Sequence, residues 1–209
     1  MFNINEDEID IEDFEYYEPF WKRPFDIFFA SAVLLLSIPI FLMVCIVLFI
    51  EGRKIFFVQE RWGRYGKRIK VIKFRTMFPK AADNIQASPN DPRITKIGNF
   101  LRKTGIDELP QVINVLKGEM SIVGPRPLPI NEKQVQDTNP LPDDKIPGFS
   151  VRIKAKPGIT GLSQILLRRN TTREQKYKYD IYYMKKLSLL MDIRIILKTI
   201  KIAIMRKAD

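Results

Sequence analysis

The longest apolar run in the chain covers residues 27–50, where 24 consecutive positions carry no formal charge. As a helix rising 1.5 Å per residue, this run would be about 36 Å long, which is enough to cross a bilayer. Apolar runs of this length are unusual in soluble folds, where the alternative would be a buried helix. An acidic stretch precedes the run and no small-residue cleavage site follows it, which argues against a cleavable signal peptide. The pattern therefore predicts a membrane segment at residues 21–50.

The flanks of this run argue against a simple span. Lys-Arg pairs stand on both sides, at positions 22–23 (Lys-Arg) and 53–54 (Arg-Lys). The positive-inside tendency would keep both ends on the cytoplasmic side, which one straight span cannot do. Pro39, near the middle, cannot donate to the helix ladder, and the Ser37 hydroxyl beside it can satisfy a nearby carbonyl. We therefore predict a re-entrant membrane helix that is broken at Pro39 and enters and leaves by one face.

After Gly52 the pattern changes to short alternating segments. Two pieces, KIFFVQERWG and RIKVIKFRTM, are typical of strands joined by a glycine-containing turn. In the second piece Lys73 and Arg75 alternate with apolar residues, so both cations are expected on one face of a strand. They either line an anion site or solvate a strand edge, and the pattern leaves both interpretations open.

A short helix is predicted next, because four apolar residues recur at the spacing i, i+3, i+4 and i+7: Leu109, Val112, Ile113 and Leu116. Pro110 suits its start and Gly118 its end. Two adjacent carboxylates, Asp107 and Glu108, stand just before it. The field of a helix N-terminus favours ionised carboxylates and attracts phosphate. Asp107 and Glu108 therefore either cap the helix or take part in phosphate chemistry with a divalent cation.

A final amphipathic helix is predicted near residues 187–207. One face carries Ile193, Ile196, Leu197, Ile200 and Ile204, and another carries Arg194, Lys198 and Lys201. Such a helix either lies on an anionic membrane or packs on the core.

The predicted fold class is α+β and mainly helical. An acidic, disordered or loosely docked tail (residues 1–20) precedes the re-entrant helix (21–50), and a compact cytoplasmic catalytic domain (51–209) follows, ending in the amphipathic helix.

Charge is distributed very unevenly along the chain. Residues 1–18 hold eight acids and no Lys or Arg, while the remainder carries 35 basic and 16 acidic residues. The strong positive charge of this remainder predicts anionic partners: phosphorylated substrates, anionic membrane lipid or nucleic acid. No aromatic-and-basic motif of a known nucleic-acid-binding type is present, which argues against nucleic acid.

Two absences limit the chemistry. The chain has no His and a single cysteine, Cys45, so a Ser-His-Asp triad, a His-ligated metal, a disulfide framework and a cysteine zinc cluster are all excluded. Carboxylates, Lys, Arg and hydroxyl groups remain for catalysis, together with a hard cation such as Mg²⁺, which prefers oxygen ligands.

Six motifs, taken in this order, carry a resemblance to a known family. They are KRPFD (22–26), FFVQERWG (56–63), KFRTM (73–77), DPRITKIGNFLRKTGIDELPQVINVLKGEMSIVGPRP (91–127), KPGITGLSQ (156–164) and YDIYYMKKLSLLMDIRIILKTI (179–200). The chain resembles the bacterial sugar transferases, and among them the small monotopic polyprenyl-phosphate phosphoglycosyl transferases. The resemblance covers about residues 21–204.

The resemblance implies transfer of a sugar 1-phosphate from a UDP-sugar to a polyprenyl phosphate such as undecaprenyl phosphate, with release of UMP, at the cytoplasmic face of the bacterial inner membrane. By this similarity Asp107 would be the nucleophile of a phosphosugar–aspartyl intermediate, and Glu108 would bind Mg²⁺ or Mn²⁺. Four further positions match residues expected to hold phosphate or nucleotide: Lys73, Arg102, Arg126 and Arg168.

Other functions use the same features differently. A metal-dependent nucleotide-sugar hydrolase at the membrane would use the same carboxylates with water as the acceptor, and would need no lipid. A non-catalytic membrane scaffold would show no turnover. The sequence also departs from the family pattern, because Ile38 separates Ser37 from Pro39, and Leu167 and Arg169 flank Arg168 where Gly and Asn are frequent.

Overall fold

A computed structural model of the chain describes residues 4, 9, 11–52, 54–78, 91–130, 142–167 and 171–205. The fold is mixed α/β and about 54% helical, which confirms the predicted predominance of helices. The helices are α1 (Lys22–Ile50), α2 (Lys96–Thr104), α3 (Gln111–Lys117), α4 (Phe149–Arg152), α5 (Leu162–Leu166), α6 (Arg173–Lys185) and α7 (Leu189–Met205). Short 3-10 turns cover Arg64–Gly66, Ile106–Glu108 and Asp143–Lys145.

The described strands form two small two-stranded sheets. The predicted pair of strands forms an antiparallel hairpin of β1 (Phe56–Trp62) and β2 (Arg68–Phe74). The second sheet pairs β3 (Ser121–Val123) with β4 (Gly158–Thr160) in parallel. A Cβ added at Gly158 would lie 2.1 Å from the Gly124 nitrogen, so glycine is needed where these two segments meet.

The long helix α1 runs without interruption through Pro39. By length and composition it is long and apolar enough to cross a membrane. The Ser37 hydroxyl donates to the Leu34 carbonyl at 3.2 Å, which is the kind of bond expected of a hydroxyl near a helix proline. The helix is therefore continuous at Pro39, where a break was predicted. The re-entrant course in a membrane stays a prediction.

One stripe of α1 is buried from its first turn to its last. Its members recur at spacings of four and seven residues: Lys22, Asp26, Ala30, Ser37, Val44 and Leu48. At the far end, Val44 and Leu48 pack with Phe74 and Leu101 of the body. The opposite side exposes large apolar residues, among them Leu35, Leu36, Met43, Phe49 and Ile50. Both ends of α1 therefore lie against the rest of the fold.

The basic pair at the start of α1 is used inside the protein. Lys22 is only 2% exposed and donates to Asp192 at 2.5 Å and to the Val123 carbonyl at 2.9 Å. Arg23 donates to the Val115 and Leu116 carbonyls at 2.6 and 2.7 Å, where the last carbonyls of α3 lack helix partners. Since both side chains bind within the fold, they are weak evidence for a positive-inside flank.

The described part of the acidic head packs on the basic body. The Glu18 carboxylate lies 3.0 Å from Arg64 and 3.1 Å from Lys156, and Asp13 pairs with Lys154. Two residues of this segment, Ile9 and Tyr16, are buried in the main core. This segment is therefore docked by both charge and apolar contact, while the division into three domains stays a prediction.

Helix α7 has two apolar sides. Met191 and Ile195 are buried, and Thr199 bonds Thr160 of β4 at 2.7 Å. The predicted apolar side is instead largely exposed, at Ile193, Leu197 and Ile200. The two interpretations offered by the sequence thus apply to different sides: one packs on the core, and the other is an exposed apolar surface of the kind that lies on membranes.

Candidate active site

The acid pair lies in a tight connection between α2 and α3. Gly105 takes a left-handed conformation (φ +73°), which lets the chain turn into the 3-10 turn that holds Asp107 and Glu108. Helix α3 then starts after Pro110 and ends at Gly118. This confirms the predicted helix. With seven residues, however, α3 has only a modest dipole, so side-chain cations must supply most of the field at the carboxylates.

Lys73 lines the site and does not solvate a strand edge. It follows Ile69 and Val71 on the buried face of β2, because side chains two residues apart share a face. Its ammonium group lies 2.5 Å from the Glu108 carboxylate. Arg75 lies one residue beyond the strand, with its guanidinium 5.7 Å from the ring of Phe57, the residue that pairs with Lys73.

The other predicted cations are placed as follows. Arg102, near the end of α2, donates from Nε to the Thr76 hydroxyl at 2.7 Å. Arg126 is exposed on the loop after β3. Both arginines act on the acid pair, since the charge of Arg102 is felt by Asp107 and that of Arg126 by Glu108. Arg168 lies outside the described residues, so its predicted role stays a prediction.

The two carboxyl groups have very different pKa values. Burial and the Glu108 charge raise the pKa of Asp107 to about 6, against the opposing effects of Lys73 and Arg102. Burial also disfavours ionisation of Glu108, but the charges of Lys73 and Arg126 outweigh it and hold that pKa at about 2. At neutral pH Glu108 is therefore fully ionised, while Asp107 is ionised but unusually basic. Adjacent groups separated in this way are typical of catalytic pairs.

Sequence reasoning missed Arg61 as part of this environment. Arg61 is buried (8% exposed) and pairs with Ile69, which places it on the same face of the hairpin as Lys73. Its charge contributes to the low pKa of Glu108. The sequence held no signal for this burial, because the outward residues Phe56 and Val58 of β1 are as apolar as the inward residues Phe57 and Gln59.

The donor set suits a magnesium ion shared with a substrate. Among the described residues no group of three or more His, Cys, Asp or Glu side chains could hold a metal by itself. Mg²⁺ is commonly held by one or two carboxylates, with phosphate oxygens and water completing its shell. Glu108, with a pKa of about 2, offers an ionised carboxylate at every physiological pH. These residues therefore fit Mg²⁺ bound together with a phosphate.

Comparison with known proteins places the chain in a family. A family model described as bacterial sugar transferase matches residues 17–206. The chain belongs to the bacterial sugar transferase family. This confirms the family resemblance found in the sequence, and it leaves most of the acidic head, residues 1–16, outside the matched region.

Individual members differ in length. The chain is 43% identical over 199 residues to the UDP-glucose:undecaprenyl-phosphate glucose-1-phosphate transferase of Escherichia coli K12, covering 90% of this chain and 41% of that protein. It is 41% identical over 188 residues to the exopolysaccharide production protein PSS of Rhizobium leguminosarum bv. phaseoli, covering 86% and 92%. It is 35% identical over 204 residues to the UDP-galactose-lipid carrier transferase of Erwinia amylovora, covering 90% and 41%. The chain thus spans about two fifths of some relatives and nearly all of another.

Proposed function

We propose that this sugar transferase moves a sugar 1-phosphate from a UDP-sugar to a polyprenyl phosphate such as undecaprenyl phosphate, with UMP as the second product. The reaction would form the first membrane-bound intermediate of a glycan. The names of the relatives support the two substrate classes. The observation that carries the proposal for this chain is the acid pair, in which Asp107 has a pKa of about 6 beside the ionised Glu108.

In the first half-reaction, the Asp107 carboxylate attacks the phosphorus that bears the sugar. A bond forms between a carboxylate oxygen and that phosphorus. The bond from phosphorus to the bridging oxygen breaks, and UMP leaves with the electron pair. A carboxylate is a competent covalent nucleophile, and raising its pKa increases its basicity without protonating most of it at pH 7.5. Lys73, Arg102 and Arg126 would bind phosphate oxygens and offset the charge that develops there.

In the second half-reaction, an oxygen of the polyprenyl phosphate attacks the same phosphorus. The carboxylate of Asp107 is displaced, and a polyprenyl diphosphate sugar is formed. No proton transfer is needed in either step, because both attacking groups are ionised. This fits a site that contains carboxylates and cations and a chain that has no histidine base.

Glu108 would hold Mg²⁺ together with the substrate phosphates. When bound, this ion supplies positive charge that offsets the charge of the diphosphate. Lys73 would then have two anionic neighbours, the carboxylate of Glu108 and a phosphate, and would orient both.

The proposed location is the cytoplasmic face of the inner membrane, with α1 entering and leaving by that face. The exposed apolar sides of α1 and α7 support contact with a membrane. Tyr17 is 73% exposed just before α1, so it is a suitable reporter site. In a Cys45→Ser background, Tyr17→Cys should stay protected from a membrane-impermeant maleimide in intact cells and label after lysis. Labelling in intact cells would place this end outside and contradict the one-face arrangement.

The chemical test is a burst experiment. Purified protein, Mg²⁺ and a UDP-sugar, with UDP-glucose and UDP-galactose tried first, should release about one UMP per protein when no lipid is present. Mass spectrometry should detect a phosphosugar adduct on Asp107. Adding polyprenyl phosphate should restore turnover.

Asp107→Asn should abolish both the burst and the adduct. Asp144→Asn is the matched control, because the Asp144 side chain is 63% exposed on the 3-10 turn Asp143–Lys145. Continuous UMP release without lipid would instead indicate the hydrolase, and full activity of Asp107→Asn would contradict the covalent mechanism.

A further inference from the structure

The loop that carries Arg126 is held almost entirely through its carbonyl groups. Pro125 and Pro127 have no N–H, so the backbone offers few donors here. Each of the four consecutive carbonyls at positions 125–128 nevertheless accepts a hydrogen bond. Two of the donors are backbone groups: Gly158 N–H binds the Pro125 carbonyl at 2.8 Å, and Trp62 N–H binds the Leu128 carbonyl at 3.0 Å.

The other two donors are buried arginine side chains. Arg152 donates from Nη2 to the carbonyl of Arg126 itself at 2.6 Å, and Arg61 donates from Nη1 to the Pro127 carbonyl at 2.6 Å. Arg152 is 3% exposed and Arg61 is 8% exposed. Hydrogen bonds from charged donors are stronger than those from neutral ones. The backbone directly after the Arg126 side chain is thus fixed by guanidinium groups from distant parts of the chain, and the Gly158 N–H holds the carbonyl directly before it.

We propose that Arg61 and Arg152 are positioning residues, which hold the Arg126 loop so that the Arg126 guanidinium binds a phosphate of the donor substrate. The proposal rests on the proposed function in one respect: the ligand of Arg126 is a nucleoside diphosphate. It adds two residues to the site that act through Arg126 and not by touching the substrate.

The contacts of Arg152 indicate that it positions the loop and does not supply free positive charge to the site. Asp180 accepts from Arg152 Nε and Nη2 at 3.1 and 2.8 Å and takes a third hydrogen bond from Ser163 at 2.7 Å. The guanidinium also lies 4.7 Å from the ring of Tyr177. With its charge matched by Asp180 and its guanidinium packed near the ring of Tyr177, Arg152 is a rigid support for the loop.

Arg61 both holds the Arg126 loop and contributes positive charge near Glu108. Gln59 accepts from its second Nη at 2.6 Å, so the guanidinium is anchored on the hairpin side as well as at the loop. It lies on the face of the hairpin that also carries Lys73. Arg61→Lys keeps the charge but cannot make both hydrogen bonds in the same plane, whereas Arg61→Gln loses the charge as well.

Equilibrium binding of UDP, measured by calorimetry in detergent with Mg²⁺, tests the proposal without turnover. Arg126→Gln should weaken UDP binding about tenfold, as expected for one lost charged hydrogen bond. Arg61→Lys and Arg152→Lys should each weaken it by about three- to tenfold. Added to Arg126→Gln, either lysine variant should cost less than about twofold more, because groups acting through one residue are not additive.

Arg68→Gln is the matched control. It removes a cation from the same hairpin at a side chain that is 65% exposed and lies on the opposite face. It should change UDP binding by less than about twofold. Arg61→Gln should weaken binding more than Arg61→Lys does, and the difference should shrink at high salt because only the glutamine variant has lost a charge.

Full additivity with Arg126→Gln, or unchanged UDP affinity in either folded lysine variant, would overturn the proposal. Each variant is compared only if it melts cooperatively, and if Arg152→Lys does not fold, Arg61→Lys decides alone. If neither folds, Asp180→Asn replaces them. It keeps Arg152 and removes its anchoring charge, and it must weaken UDP binding in the wild type but not in Arg126→Gln.

A protein that binds UDP in this pattern yet turns over no UDP-sugar would refute the proposed function and leave the positioning role standing.

Discussion

Replacing the proposed nucleophile should make the protein more stable. Asp107 has a pKa of about 6 in the folded chain, against 3.8 for an ordinary aspartate, because burial and Glu108 both disfavour its charge. A difference of about two pKa units corresponds to about 3 kcal/mol, at about 1.4 kcal/mol per unit. Asp107 is only half-buried, so solvent screening reduces the stabilisation expected from Asp107→Asn to about 1–2 kcal/mol. For a chain of this size that is a rise in Tm of about 2–8 °C.

The sign of the effect fixes its pH dependence. Above pH 6 the carboxylate is ionised in both folded and unfolded states, so the folded state bears the full cost of the buried charge. As pH falls from 6 to 3.8, the folded state takes up the proton first and the cost disappears. The Tm advantage of Asp107→Asn should therefore be largest near pH 7.5 and should shrink towards zero near pH 4.

The assay is thermal unfolding of metal-free protein in one detergent at a series of pH values. Asp144→Asn serves as the control and should stay within about 0.5 kcal/mol of the parent, as exposed substitutions usually do. An Asp107→Asn protein that melts below the parent at pH 7.5 would refute this account. So would a Tm difference that is the same at pH 7.5 and pH 4.5.

Three further outcomes are expected. Glu108→Gln should lower turnover at least about 100-fold even at high Mg²⁺, because it removes the carboxylate that binds both Lys73 and the proposed ion; normal turnover in excess EDTA would contradict the metal assignment. Lys22→Met should destabilise the fold by about 3–5 kcal/mol in denaturant titration, since it leaves Asp192 buried without its cation; a change below about 1 kcal/mol would show that the pair is not a structural anchor. Glu18→Gln should cost about 1–2 kcal/mol of stability at low salt and less at 1 M salt, because Glu18 bridges two cations; equal losses at both salt concentrations would exclude an electrostatic origin.

The parts of the site that sequence predicted correctly are local in the chain. The helix after Pro110 follows from apolar spacing within eight residues. Alternation along one strand predicted that Lys73 projects from one face, but it left open whether that face lines a site or meets solvent, and the structure decided this. The roles proposed for Asp107 and Glu108 came from motif resemblance, which local periodicity could not supply, and they stay predictions. The structure adds what distinguishes them, since the separation of their pKa values depends on cations from three different segments.

The missed features depend on contacts between residues that are far apart. Arg152 reaches the Arg126 loop across 26 positions, and Lys22 reaches Asp192 across 170. No local pattern distinguishes a charge that will be buried in such a pair from one that faces water, so Lys22 was interpreted as a membrane flank. In α7, apolar residues occur on two sides, and only the tertiary fold determines that Ile195 packs inward while Leu197 is exposed.

The contacts of α1 support the proposed one-face arrangement better than flanking charge does. A helix of 29 residues is about 43 Å long. If it crossed the bilayer as a straight span, its last turns would leave the membrane on the side opposite its first turns. Its first turn, however, is anchored to the body through Lys22 and Asp192, while Val44 and Leu48 near its end pack with Phe74 and Leu101. A span would have to break one of these two sets of contacts, because the polar catalytic body cannot follow the helix through hydrocarbon. Keeping both sets requires the two ends of α1 to stay on the side of the membrane where the body lies.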